Sequence, residues 1–397
     1  VTTRVLLVGA REASGRALAA RGARVTCVSD ATDSATGPPE WAEEEILLDS
    51  VTDVAEVVCA AAQTTISAGP FAAICSGSEF PLLSAAVARD ALGTAGLDTA
   101  TAILLRDKFT QKASIRASGI LVADFRIVPG QSAPADLHYP AVVKPLSGGG
   151  AAQTFRVDGP DEFSEKTRGS RRWLAEKYVD GRELQIDGAV RKGQLVLFTV
   201  ARYLSNLLPT HQTELVGAIV IPPRDEPDLY RRAAELTVGA LAALGFRDGV
   251  FHLEAFDMLD GTLIFSECAG RVSGGAADVA IRLSTGRDIH DEWARAVLNL
   301  PSVAKTVWRE GVFGDVQLTL PPGIVQSLPT KQDLVRRPGV SAARFHTAVG
   351  QTMADARASS DIRAVTAVVG APDVAGVRRR IRELAAWFTT VARSAQR

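Results

Sequence analysis

Two glutamates, Glu254 and Glu267, flank an Asp260-Gly261 pair in Phe251-His252-Leu253-Glu254 and Ser266-Glu267-Cys268-Ala269-Gly270-Arg271. Asp-Gly between alternating apolar residues predicts a β-hairpin with a two-residue turn. With Leu259 and Thr262 closing that turn, Glu254 lies opposite Glu267. Facing side chains of an antiparallel pair have Cβ atoms ~4.5–5.5 Å apart, so two like charges there repel unless something positive lies between them. A hard divalent cation such as Mg²⁺, held by two carboxylates together with phosphate oxygens, meets that need. Two solvated glutamates are the simpler alternative. The expected face also carries Phe256, Met258, Leu263 and Phe265, and that favours the cation site. Arg271 falls two pairs beyond Glu267 on this face, and His252 falls opposite Ala269.

Two further segments carry polar chemistry. Tyr139-Pro140-Ala141-Val142-Val143-Lys144-Pro145-Leu146-Ser147-Gly148-Gly149-Gly150 reads as a strand that presents a lysine and then a glycine loop. Glycines let backbone N–H groups approach anionic oxygens, and the lysine adds a mobile charge. GxxxxGK[ST] is absent, and no His-Arg-Asp or Asp-Phe-Gly follows, so neither a P-loop nor a protein kinase is indicated. An ordinary flexible loop remains the alternative. Trp173 to Glu183 reads as an apolar strand, Trp173-Leu174-Ala175-Glu176-Lys177-Tyr178-Val179, then a Gly181 turn and Glu183. Such a strand can offer backbone groups to an adenine edge, and Glu183 could accept hydrogen bonds from ribose hydroxyls. An amphipathic edge strand is the alternative.

The elements around these segments predict a mixed α/β chain. Residues 4–30 read strand–helix–strand, with short apolar runs at 46–48 and 71–75 and helices at 51–63 and 81–92: a small doubly wound α/β layer. Its first turn, Gly9 to Gly15, lacks GxGxxG and reads as scaffold. Residues 93–105 read as an irregular connection, followed by a helix over Lys108–Ala117. An α+β unit then runs through strands near 121–128, 141–144 and 154–157, a helix near 161–168, and strands at 173–179 and 184–190, the last turning through Lys192-Gly193 into 194–200. A helix over 228–244 precedes the glutamate hairpin, and 276–299 reads as helical. Short strands punctuated by Pro-Pro-Gly and Arg-Pro-Gly lead to a basic amphipathic helix at 373–393, whose run Arg378-Arg379-Arg380 reads as a solvated face.

The 397 residues are 46% apolar and carry a formal net charge of −1. That size predicts two or three domains with real cores, and that charge gives no case for nucleic acid or a membrane surface. The four cysteines show no CxxC spacing and read as free thiols in a reducing compartment. The opening VTTRVLLVGA lacks signal-peptide features. No run approaches the ~18–20 apolar residues of a membrane span. A cytoplasmic protein is the expectation.

In chain order these features are Lys108 on a helix, Lys144 before a glycine loop, Glu-Lys-Tyr-Val then Gly-x-Glu, and paired glutamates trailed by Arg271. This series resembles the ATP-grasp superfamily of carboxylate–amine ligases, over roughly residues 1–300 and more loosely beyond. The resemblance implies an N-terminal α/β domain (1–98), a linker helix and lid (99–192), a catalytic core (193–300) and a C-terminal α+β subdomain (301–397). It implies that Lys108 and Lys144 hold ATP phosphates under a flap of Ser147, Gly148, Gly149 and Gly150. Glu176 and the backbone of Lys177, Tyr178 and Val179 would read adenine, and Glu183 the ribose. Glu254 and Glu267 would bind Mg²⁺, with Mn²⁺ as a substitute, and Arg271 would stabilise an acyl phosphate and its transition state.

Two departures stand out. Ala269 replaces the Asn of a common Glu-x-Asn-x-Arg pattern and removes one metal ligand, and the flap lacks an Arg after its glycines. Phe-His-Leu-Glu, Glu-x-Ala-x-Arg and the Gly274-Gly275 pair together look most like the L-amino-acid ligase branch, which makes dipeptides. The implied substrates are a small carboxylate and an amine, amino acids or peptides, and homodimerisation is an expectation for the superfamily. Substrate contacts are expected from Glu79, ahead of a helix, from His252, and from Ser273, Gly274 and Gly275. Arg202, Tyr203 and His211 could line the pocket or lie in plain loop. A formate- or bicarbonate-using ligase, or a nucleotide-binding module without catalysis, are the alternatives.

Overall fold

The computed structural model of the chain describes residues 3–32, 37–131, 133–210, 215–303 and 306–395. The chain opens with β1 (Arg4–Val8), α1 (Glu12–Ala20), β2 (Arg24–Asp30), β3 (Glu44–Leu48), α2 (Val54–Ala68), β4 (Ala73–Cys75) and α3 (Leu82–Leu92). The strands form a parallel sheet of order β3-β2-β1-β4. Val5 to Val8 are all buried, the unbroken apolar run of a parallel strand covered on both faces. Asp53 starts α2 by accepting from the N–H groups of Ala55 and Glu56, and Gly93 ends α3 in the left-handed conformation.

The stretch 93–105 is not the irregular connection its composition predicts, because it holds α4 (Thr99–Arg106). Asp98 accepts from the N–H of Thr101, and Asp107 does the same for Thr110 at the start of α5 (Lys108–Ala117). Two N-caps therefore set two short helices in succession.

Next come β5 (Phe125–Pro129), β6 (Ala141–Pro145), β7 (Phe155–Val157), α6 (Pro160–Lys166) and β8 (Arg172–Lys177). They make a small antiparallel sheet of order β5-β8-β6-β7, with the glycine loop joining β6 to β7.

The remaining elements are β9 (Arg182–Arg191), β10 (Gln194–Tyr203), α7 (Leu207–Thr210), β11 (Gly217–Ile221), α8 (Pro227–Ala243), β12 (Gly249–Asp257), β13 (Leu263–Ala269), α9 (Ala277–Thr285), α10 (Ile289–Val297), β14 (Val312–Leu318), β15 (Gly323–Ser327), α11 (Lys331–Val335), β16 (Val340–Phe345), β17 (Thr352–Met353), β18 (Val365–Ala371), α12 (Val374–Val391) and β19 (Arg393–Ala395). Eight strands form one antiparallel sheet of order β13-β12-β9-β10-β11-β14-β18-β16, and β17-β15-β19 form a small third layer. The boundaries expected at residues 192 and 300 both fall inside this continuous sheet.

The sheet's strands alternate. Leu184, Ile186, Phe251, Leu253 and Ala255 pack on α8 and α5, while the intervening polar residues face the other way. Gly286, in the left-handed conformation, splits the helical segment 276–299 into α9 and α10. The stripe Val377, Ile381, Leu384 and Phe388 seats α12 on the sheet. Arg378 and Arg380 donate to the carbonyls of Leu204 and Gly370, so that basic run is only partly a solvated face. Among the described residues no helix is long and apolar enough to cross a membrane.

The hairpin β12–β13 pairs Glu254 with Glu267 and His252 with Ala269, as the spacing predicts. Its turn differs from the expected one. Gly261 N–H donates to Met258 O and Met258 N–H to Thr262 O, which closes a three-residue loop, with Gly261 at φ +84°. The register slips by one along the ladder, because Ala255 pairs with Phe265 while Glu254 pairs with Glu267, leaving Ser266 as a bulge. The longer loop and the bulge cancel, so the glutamates still face each other. The near-turn residues of β13 change sides as a result: Leu263 and Phe265 join the core cluster, while Phe256 stays on the cleft side with Glu254. Replacing Gly261 with Val should cost about 1–2 kcal/mol through the left-handed backbone it needs. The check is a lowered thermal midpoint that Gly261→Asn largely avoids.

Candidate active site

A cleft of about 810 Å³ lies between the turns after β1 and β4, the small sheet with its glycine loop, and the polar face of the large sheet. The alternation that buries Leu184 and Ile186 presents Glu183, Gln185 and Asp187 on β9. The same alternation presents His252, Glu254 and Phe256 on β12.

One wall is built from lysines and carboxylates. Lys108 Nζ lies 2.6 Å from Glu267 Oε2, and Lys144 Nζ 2.9 Å from Glu176 Oε1. A third lysine, Lys112, lies 3.4 Å from Glu176 Oε2 and is almost wholly buried. Burial works against the charge on Glu176, but Lys112 and Lys144 outweigh it and hold the carboxyl below its usual range. Burial lowers Lys112 to about 8, with Glu176 opposing and Lys144 reinforcing the drop. One carboxylate therefore serves two ammonium groups. The set is short of negative charge and would suit an anion.

Burial also opposes charge on Glu267, yet Lys108 and Lys144 hold it well below the ordinary carboxylate range. Glu254 accepts from Tyr203 Oη at 2.8 Å and lies 3.4 Å from His252 Nε2. His252 Nδ1 contacts Asp187 Oδ1 at 3.1 Å, and Gln185 Nε2 donates to Asp187 Oδ2 at 2.6 Å. Burial disfavours the imidazolium, but Asp187 and then Glu254 raise His252 to about 10. Glu183, pushed up to about 8 by burial and by Glu254, accepts from the N–H of Leu207 at 2.7 Å. Among the described residues no group of three or more His, Cys, Asp or Glu side chains forms a metal cage. Two facing glutamates fit a cation that takes its other oxygens from a bound substrate.

Arg271 donates from Nε to Glu79 Oε2 at 2.6 Å, and Glu79 also pairs with Arg106. The turn after β1 is more than scaffold. Arg11 lines the cleft and donates to the carbonyls of Gly77 (3.0 Å) and Val272 (3.2 Å). Burial and the neighbouring Arg271 lower Arg11 to about 10. The glycine loop is held from the C-terminal side, because Gly150 O accepts from Ser360 N–H at 3.0 Å and from Ser359 Oγ at 3.2 Å.

The cleft thus gathers Lys108, Lys144, Gly148, Gly149, Gly150, Glu176, Lys177, Tyr178, Val179, Glu183, Glu254, Glu267, Arg271, Glu79, His252, Ser273, Gly274 and Gly275. Two expected residues do not line it. Ser147 lies outside the lining. Arg202 faces away on β10 and forms a two-pronged pair with Glu226 at 2.8 and 2.9 Å, while its neighbour Tyr203 takes the cleft side. His211 lies outside the described residues. Glu176 reaches the lysines with its side chain, so any adenine contact there falls to backbone. The N–H groups of Lys177 and Tyr178 donate to Asp124 O and Pro140 O. Val179 N–H makes no backbone bond among the described residues.

Sequence reading missed Lys112, Arg11, Asp187, Gln185 and Asp315. Lys112 had a signal, since it stands one helical turn after Lys108 on α5 and so shares its face. The parity of β9 would likewise have placed Gln185 and Asp187 beside Glu183.

A parallel α/β layer, a small lid sheet with a glycine loop, and a large antiparallel sheet carrying two facing glutamates make up the ATP-grasp fold, and this chain has it. An L-amino acid ligase from Bacillus licheniformis superposes with a TM-score of 0.84 at 18% identity, over 100% of both chains. A carboxyaminoimidazole ribonucleotide synthase from Aspergillus clavatus complexed with ATP gives a TM-score of 0.75 at 18% identity, over 98% of this chain and 99% of that one. In sequence, the chain is 28% identical over 249 residues to an L-arginine-specific L-amino acid ligase of Bacillus subtilis. That alignment covers 59% of this chain and 59% of the relative. No family model matches the chain.

Two measurements probe this electrostatic wall. Lys112→Met, which leaves Glu176 to Lys144 alone, should weaken binding of ATP to this wall by roughly tenfold. An unchanged Kd would remove Lys112 from the phosphate wall. His252, with its folded value raised to about 10, should stay protonated through pH 8 in ring-nitrogen NMR spectra. The stability it lends is complete below ~6.5 and is lost as pH rises through its folded value. Asp187→Asn should bring its titration midpoint down towards the ordinary imidazole range.

Proposed function

We propose that the chain is an ATP-dependent carboxylate–amine ligase that joins an amino acid to an amine through an acyl phosphate, releasing ADP and phosphate. The observation that carries this reading is the convergence of Lys108, Lys144, Glu254, Glu267 and Arg271 on one cleft. The similarity to an L-arginine-specific L-amino acid ligase supports amino acids as the substrate class. ATP bound to a solved protein of the same fold supports ATP as the phosphoryl donor. The free cysteines, three of them buried, suit a reducing cytoplasm.

Lys108 and Lys144 neutralise the phosphate chain, with Lys112 behind them on Glu176, and Val179 N–H meets the base edge. Glu183 would meet the ribose hydroxyls. Glu254 and Glu267 would hold Mg²⁺, with Mn²⁺ as a substitute, and the metal would neutralise charge on the transferring phosphoryl group. A substrate carboxylate oxygen attacks the γ-phosphorus, the bond to the β-phosphate oxygen breaks, and ADP leaves. Arg271 offers its planar fork to the carboxylate and to the charge that grows during transfer. The amine nitrogen then attacks the acyl carbon, loses a proton, and expels phosphate. The glycine loop over the cleft keeps water from the acyl phosphate.

Phosphate release from ATP, screened across amino acids and small carboxylates, tests the reading, with amide product detected by mass spectrometry. Stimulation by bicarbonate or formate in place of amino acids would instead indicate a ligase of one-carbon acids. Glu267→Gln should abolish ADP formation at every Mg²⁺ concentration, and near-normal turnover would remove it from the metal site. Arg271→Ala should lower kcat by at least about 100-fold with ATP Kd little changed.

A further inference from the structure

One buried carboxylate of the cleft has no cation. β14 carries Asp315 and Gln317 on one face, and both line the cleft. Asp315 is 5% exposed and Gln317 9%. Asp315 Oδ2 accepts from Ala276 N–H at 3.1 Å. The charged groups acting on Asp315 are Asp278 and Asp187, both acidic, and among the described residues no lysine, arginine or histidine pairs with it. The carboxamide of Gln317 makes no hydrogen bond among the described residues, although its backbone N–H donates to Val216 O.

Both side chains abut the loop that follows Arg271. A Cβ built on Gly275 would lie 2.4 Å from Asp315 Oδ2 and 3.8 Å from Gln317 Nε2. At φ +69° with no side chain, Gly275 lets that loop lie against the carboxylate. A buried carboxylate facing other carboxylates is unstable as an anion unless a cation joins it. Burial indeed pushes Asp315 up to about 6.

We infer that Asp315 and Gln317 seat the ammonium group of the amino acid whose carboxylate is activated. Asp315 supplies the charge, and the Gln317 oxygen supplies a second acceptor. The short loop from Arg271 to Gly275 thereby joins the carboxylate end of that substrate to its ammonium end. An ammonium held by a buried carboxylate stays protonated, so the activated substrate does not act as its own nucleophile. This inference rests on the ligase reading and deepens it by requiring an amino group on the carboxyl donor.

The test uses the full chain with ATP, Mg²⁺ and hydroxylamine, which traps the acyl phosphate as a hydroxamate without an amine substrate. Carboxyl donors are L-alanine and β-alanine against propionate, and L-leucine against 4-methylpentanoate. The wild type should favour the amino acids. Asp315→Asn keeps an acceptor for Ala276 N–H. It should lower kcat/KM for the amino acids by at least about tenfold and leave the des-amino acids unchanged. Gln317→Leu should shift selectivity the same way by less, and it carries the test if the first variant does not fold. A wild type without preference, or variants that change both substrate classes equally, would overturn the seat. If the wild type makes no ADP with any carboxylate, the ligase reading fails by itself. Calorimetric titration of the same compounds then decides the seat: amino-acid binding lost in Asp315→Asn supports it, and equal or absent binding overturns it.

Discussion

Everything in the cleft depends on how its buried charges are shared. Glu176 stands between Lys112 and Lys144, and Glu267 pairs with Lys108. Carboxylates of this kind make it tolerable to bury several ammonium groups in one wall, at the cost of fixing where each one points. The balance is incomplete by design of the fold, because two lysines share one acid. A polyanion entering the cleft would complete it. The acidic side of the cleft shows the mirror image. Glu254, Asp187 and Glu183 crowd around one imidazolium and one phenol, and a cation entering there relieves them.

The scaffold sets these charges by parity. In an antiparallel strand each core residue fixes its neighbours to the opposite face. Leu184 and Ile186 thereby commit Glu183 and Gln185 to the cleft and Asp187 to the same face beneath His252, and Phe251, Leu253 and Ala255 commit His252 and Glu254. The hairpin shows how strict the rule is. A three-residue loop alone would have carried Glu267 to the core side, and the bulge at Ser266 restores it. An irregularity in the ladder is thus what keeps the two glutamates together.

Much of this was legible in the sequence, for identifiable reasons. The facing glutamates, the lysine before the glycines and the helix starting at Lys108 are local patterns, in which spacing alone decides the outcome. Residues 93–105 misled because Gly, Thr and Ala disguise a helix whose start depends on one cap, Asp98. The turn type misled because Asp-Gly suits both two- and three-residue loops, and the choice is made by a bulge on the opposite strand. Arg202 misled because the register of β10 turns Tyr203 to the cleft instead. Arg11, Lys112 and Asp315 matter through partners far along the chain, such as Val272 and Glu176, and no local pattern names those partners.

The hold on the glycine loop has a consequence for how the protein comes into being. Gly150 is gripped by Ser359 and Ser360, more than two hundred residues later in the chain. β14, β16 and β18, which extend the large sheet beyond the glutamate hairpin, are also late in synthesis. A ribosome-bound chain that has emerged only through Arg271 already contains both glutamates and all three lysines. Its glycine loop, however, lacks the two serines that grip Gly150. The emerging protein therefore holds these charged groups well before it has the serine contacts that grip Gly150.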